Sequence, residues 1–133
     1  MWRLIFLGIF LSLPCEARNL LANPGFEQLD GAAPARWNAF VMPMPGAEGV
    51  LSEEAPQEGR FCVKLHNPQP YENEPINNWS QSVIAQVAGK SLQIRGYIRT
   101  KDATEAAIWV QCFRRTPWGV VAFGATSTDA PRY

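Results

Sequence analysis

The chain has 133 residues, with 12 Lys and Arg balanced by 12 Asp and Glu, a single His, and 47% hydrophobic residues. That length can bury the core of one domain and leaves no room for a second. The balanced charge gives no net field to gather nucleic acid, an anionic membrane or a polyacidic ligand, so a neutral partner is expected.

Arg3 precedes an apolar run from Leu4 to Leu13, which Pro14 breaks and Cys15-Glu16-Ala17 follows. Small residues at that spacing are what a signal peptidase reads, so residues 1–17 are predicted to be an export signal. The mature domain, residues 18–133, is then expected to be secreted or periplasmic. The run is about ten residues, short of the roughly twenty that cross a membrane as a helix, and no later segment is longer and apolar. A lipid anchor on Cys15 is an alternative, for which Pro14 is a poor preceding residue.

Eleven prolines and ten glycines cut the chain into short runs that suit strands and leave no long amphipathic helix, so the fold class is predicted to be all-β, a two-sheet antiparallel β-sandwich. Asn23-Pro24-Gly25 predicts a turn, and Val41 to Ala47, with Pro43 and Pro45, an extended loop. Arg60 to His66 alternates, with Phe61, Val63 and Leu65 on one side and Cys62, Lys64 and His66 on the other, as in a half-buried strand. From Asn67 to Asn78 three prolines and four asparagines predict a solvated loop, after which Trp79 to Val87 resumes the alternation. Once the signal is removed Cys62 and Cys112 remain, either bridged in an oxidising compartment or as free thiols.

Leu92 to Thr100 and Ala106 to Arg114 flank a polar five-residue stretch, Lys101 to Glu105, and are predicted to form an antiparallel hairpin. With Thr100 opposite Ala106, one face holds Ile94, Gly96, Ile98, Ile108, Val110 and Cys112, and belongs to the core. The other face sets Tyr97 opposite Trp109, Arg95 opposite Gln111 and Gln93 opposite Phe113, with Arg99 at its end. Rings interleaved with amide and guanidinium groups suit a ligand, because rings supply flat apolar area and polar groups fix orientation. Cross-strand aromatics also serve simply to stabilise sheets, and a neighbouring domain would cover them equally well. Trp118 and Phe123 would extend the surface if their strand lies alongside, and Tyr71 and Trp79 would rim it from the long loop.

Asn19-Leu20-Leu21-Ala22-Asn23-Pro24-Gly25-Phe26-Glu27, followed by Trp37, resembles the opening of carbohydrate-binding modules of the family 4, 9 and 22 group. Gly59 to Leu65 resembles that group's glycine-led strand, Trp79 to Val83 its Trp/Gln strand, and Gly89 to Arg114 its central hairpin. The resemblance implies a galactose-binding-like jelly roll with a concave sheet face that takes a polysaccharide or oligosaccharide by stacking and hydrogen bonds. The residues it would use are Arg95, Tyr97, Arg99, Trp109, Gln111 and Phe113. It also implies a structural calcium held by Glu27 with acidic help from Glu53, Glu54 or Glu58, against which Glu27 is a plain turn residue. About two further strands would be expected after Tyr133, so the chain is a fragment, a smaller variant, or completed by a further domain or subunit.

Catalytic patterns are missing from the sequence. His66 sits before Asn67-Pro68 with no nucleophile motif nearby, Cys62 and His66 alone do not make a zinc site, and no phosphate loop occurs. Glu72, Glu74, Asp102 and Glu105 fall in loops with no apolar frame to raise an acid's pKa. The expected function is that of a non-catalytic glycan-binding module, with a structural or protein-interaction β-sandwich as the alternative.

Overall fold

The computed structural model describes residues 18–73, 75–103 and 105–126. The predicted export signal, Cys15, Glu74 and the stretch 127–133 lie outside the described residues. All regular structure among them is strand, arranged as four two-stranded antiparallel pairs. The all-β expectation holds.

Strands β1 (Leu29–Asp30) and β2 (Ala33–Pro34) pair around Gly31, whose φ of 63° suits a residue without Cβ. Strand β3 (Asn38–Phe40) pairs with the distant β6 (Asn78–Ser80), putting Ala39 opposite Trp79. Strands β4 (Glu48–Ser52) and β5 (Cys62–His66) pair with Leu51 opposite Val63 and Gly49 opposite Leu65. Strands β7 (Trp109–Arg115) and β8 (Trp118–Ala125) form the last pair.

The alternation read for residues 60–66 is the one observed: Val63 and Leu65 share a face, and Cys62, Lys64 and His66 face Ser52, Val50 and Glu48. On the apolar side, Gly49 lets β4 approach β3 closely, because a Cβ there would stand 3.1 Å from both Ala39 Cβ and Val41 Cγ2. Pro34 is completely enclosed, whereas the larger apolar side chains of the described residues are at best half-buried.

The N-terminal turn is densely hydrogen-bonded. Phe26 N–H donates to Asn23 O at 3.1 Å, closing a turn with Pro24 and Gly25 in the middle. The Asn23 side chain accepts from Gln28 N–H at 3.0 Å and donates to Gln28 O at 2.9 Å and Ala35 O at 3.0 Å. The Asn23 backbone carbonyl also accepts from the indole N–H of Trp37 at 2.9 Å, and the Trp37 ring packs on Phe26 with centroids 5.1 Å apart. Gln81 closes the unit from β6's side by donating to Ala22 O and Arg36 O at 2.8 and 3.1 Å and accepting from Ala22 N–H at 2.7 Å. Residues 22–37 and Gln81 thus meet in one hydrogen-bonded assembly, although they are far apart in sequence.

The predicted hairpin is corrected. Residues 92–100 carry no strand ladder among the described residues, and β7 takes the strand that follows it as partner. Segment 92–100 does pass close to the approach to β7, since a Cβ on Gly96 would stand 2.5 Å from Ile108 Cδ1. The connection that wins is Thr116-Pro117, which joins β7 to β8 directly through a cis peptide bond. Cys62 and Cys112 are both free thiols, so the unbridged alternative is the one present.

Candidate functional site

In the β7/β8 hairpin Trp109 lies opposite Ala125, Gln111 opposite Phe123, Phe113 opposite Val120 and Arg115 opposite Trp118. Directly opposed residues share a face, and alternate residues along a strand do too, so these eight side chains occupy one side of the ribbon. The other side carries Val110, Cys112 and Arg114 against Gly124, Ala122 and Gly119, a much smaller set. Between Cys112 and Phe113 the register shifts, leaving Val121 as an extra residue on β8. That bulge keeps Trp118 and Val120 in phase with Phe123.

Two diagonal aromatic pairs result. Trp109 and Phe123 have ring centroids 6.0 Å apart at 41°, and Phe113 and Trp118 lie 5.6 Å apart at 25°, close to parallel. Both separations are in the range of favourable ring contacts. The rings nevertheless remain open to solvent: Trp109 is 45%, Phe113 50%, Phe123 62% and Trp118 74% exposed. Gln111, half-buried, lies between the pairs along β7. From Trp109 to Phe113 is four residues, about 13 Å of strand, so the two pairs offer separate apolar platforms.

The site differs in part from the one read from the sequence. Trp109, Gln111 and Phe113 share a face as expected, and Phe123 and Trp118 join them because their strand does lie alongside. Tyr97 and Arg95 are exposed on the segment without a ladder and are not the cross-strand partners of Trp109 and Gln111. Arg99 goes elsewhere, donating to Glu54 O at 3.1 Å with its guanidinium 3.9 Å from the Glu54 carboxylate. Tyr71 and Trp79 do not rim the face: the Tyr71 hydroxyl donates to Met42 O at 2.9 Å, and the Trp79 indole donates to Lys64 O at 3.2 Å. Arg115 was missed by the sequence reading. The signal for it was the Arg114-Arg115-Thr116-Pro117 turn between two runs of strand-forming residues.

Glu27 is a loop tie. Its Oε1 accepts from Arg60 N–H at 2.8 Å and Phe61 N–H at 3.1 Å, with Gly59 packed against the same carboxylate. Glu53 and Glu54, expected to share an ion with it, pair instead with Arg60 at 2.8 Å and Lys64 at 3.1 Å. Among the described residues no three His, Cys, Asp or Glu side chains gather as a metal site.

The Lys64 hydrogen bond, its charge and that of Arg99 hold the Glu54 carboxyl below its ordinary pKa. A carboxylate with a depressed folded pKa adds stability above its unfolded value and loses it as pH falls through the folded one. The stability difference between wild type and Glu54→Gln is therefore expected to be present at neutral pH and to close in acid. Urea midpoints measured across pH check this, and a gap that persists in acid would exclude the ion pairs as its source. The pairs are exposed, so the gap should be small.

A concavity of about 440 Å³ opens between the Met42–Pro45 and Gln69–Asn73 loops. Asn77 braces it, accepting from Met42 N–H at 2.7 Å and donating to the Tyr71 hydroxyl at 3.2 Å. Its wall is mainly proline and methionine, and it lacks the paired rings of the hairpin face.

Compared with protein families, curated proteins and solved structures, the chain matches none of them. No helix among the described residues is long and apolar enough to cross a membrane.

Proposed function

We propose that this chain is a non-catalytic glycan-binding β-domain of an exported protein, built as a jelly-roll-like sandwich, with a polysaccharide or oligosaccharide lying along the β7/β8 face. The observation that carries this reading is the pair of open aromatic platforms, Trp109 with Phe123 and Phe113 with Trp118, flanking the amide of Gln111. A pyranose ring has an apolar face that stacks on such rings and an equatorial belt of hydroxyls that suits an amide. The gap between platforms favours a linear chain that reaches both over a single sugar.

Calorimetric titration with soluble β-glucan, xylan and mannan oligosaccharides tests the reading. Trp109→Ala removes one platform and is expected to weaken binding about tenfold, the equivalent of about 1.4 kcal/mol and within the range of one aromatic contact. Affinity should rise from disaccharide to tetrasaccharide as the second platform is reached. Absence of heat across the panel from a folded protein would end the proposal.

A different observation favours the alternative, an interaction domain whose rings are covered by a further domain or subunit. Ile84 is 85% and Ile76 68% exposed, and both lie off the hairpin. Apolar exposure spread over several surfaces is what an unassembled partner presents. Concentration-dependent association in sedimentation, suppressed by Ile84→Lys but not by Trp109→Ala, would select it.

A further inference from the structure

The whole chain is electrically neutral, yet the hairpin from Trp109 to Ala125 contains Arg114 and Arg115 and no Asp or Glu. The two cations are placed differently. Arg114 lies on the small-residue side and its Nε donates to Pro117 O at 3.2 Å, which ties it to the turn. Arg115 lies on the aromatic side directly opposite Trp118, is exposed, and makes no ion pair among the described residues. Every acidic side chain that the structure pairs lies instead on the loop after β4.

A free guanidinium beside an open indole is a two-part recognition element. The planar fork of Arg matches a carboxylate with two parallel N–H donors, while Trp118, stacked on Phe113, offers a flat apolar surface. A uronic acid residue meets both at once. Its carboxylate is a ring substituent, so the apolar face of the sugar remains available for stacking while the acid reaches sideways. A neutral hexose in the same place leaves Arg115 without a charged partner.

We infer that the β7/β8 face takes an acidic linear oligosaccharide, with a uronate carboxylate paired to Arg115 over the Phe113/Trp118 platform and the next sugars running toward Trp109 and Phe123. This rests on the face being a glycan site and adds to it the class of sugar and the direction of the chain. The polar end of the site is the turn end, and the rest is neutral.

The test compares tetragalacturonate with a neutral tetrasaccharide, cellotetraose, on wild type, Arg115→Gln and Trp118→Ala, at low and high salt. The acidic ligand is expected to bind roughly two- to fivefold more tightly than the neutral one at low salt, the range for one exposed ion pair. That advantage should disappear in Arg115→Gln and in high salt. Trp118→Ala should weaken both ligands. Equal binding of the two ligands to wild type, or an acidic preference that survives Arg115→Gln, overturns the inference and leaves the glycan reading standing. Failure of both ligands to bind folded protein overturns the glycan reading itself. Polyglutamate binding as tightly as tetragalacturonate, and insensitive to Trp118→Ala, would show that charge alone is recognised and also overturns the inference.

Discussion

Asn23→Ala is expected to destabilise the protein by about 2.5–6.5 kcal/mol, seen as a lower urea midpoint at unchanged slope. Two effects add. The Ala side chain cannot replace the three hydrogen bonds that Asn23 makes to Gln28 and Ala35, each worth roughly 0.5–1.5 kcal/mol net. The backbone there has φ 49°, a left-handed conformation that Asn tolerates and Ala adopts at a cost of about 1–2 kcal/mol. Asn23→Gly separates the two, because it loses the same bonds without the backbone strain. It should therefore fall between wild type and Asn23→Ala. An Ala variant within 0.5 kcal/mol of wild type, smaller than one hydrogen bond, would show that the turn does not anchor the Phe26/Trp37 unit.

Gly59→Ala is the second large effect, and its size should depend on Glu27. Gly59 has φ 69°, and a Cβ there would collide with the Glu27 carboxylate that holds the amides of Arg60 and Phe61. Either the left-handed backbone is strained and the carboxylate is driven off both amides, or the chain shifts and loses the same contacts. A cost of about 2–5 kcal/mol follows from left-handed strain plus two hydrogen bonds. In a Glu27→Ala background the collision is gone and the bonds are already lost, so Gly59→Ala should then cost only the backbone strain, about 1–2 kcal/mol. A double-mutant cycle measures that difference. Strict additivity would mean that Glu27 and Gly59 act independently and that the loop tie is not what holds residues 59–61.

Both predictions concern residues that hold the start of the domain, and both are architectural. Asn23, Phe26, Trp37, Gln81, Glu27 and Gly59 lock the start of the domain to β6 and to the loop before β5. The structure gives these residues a shared job of holding a turn and a loop in place. The Glu27 carboxylate accepts hydrogen bonds from the backbone amides of Arg60 and Phe61.

Local readings survived where a single stretch of chain decides the outcome. Pro24 and Gly25 make a turn because of their own backbone restrictions, and residues 62–66 alternate because side chains on a strand must. The prolines of the 42–45 loop exclude a ladder by lacking N–H groups. Each of these follows from torsions and periodicity, which a linear sequence carries in full.

Pairing was different. A period of two tells that residues 109–115 form a strand, and it is silent on which neighbour they join. Residues 92–100 have an equally suitable pattern, and only the closed fold shows β8 as the partner. The candidate site moved with that choice: Tyr97, Arg95 and Arg99 left the face, while Trp118, Phe123 and Arg115 entered it. Even the phase of Trp118 depended on the extra residue Val121, a one-residue shift that turns every later side chain over. The sequence by itself determined that the chain is all-β, that it turns at Pro24-Gly25, and that exposed rings and an amide would meet on the strand around Gln111. Tertiary structure decided which rings meet and which cation stands beside them, because contacts between strands depend on loop closure and register, and neither is encoded in one strand's own pattern.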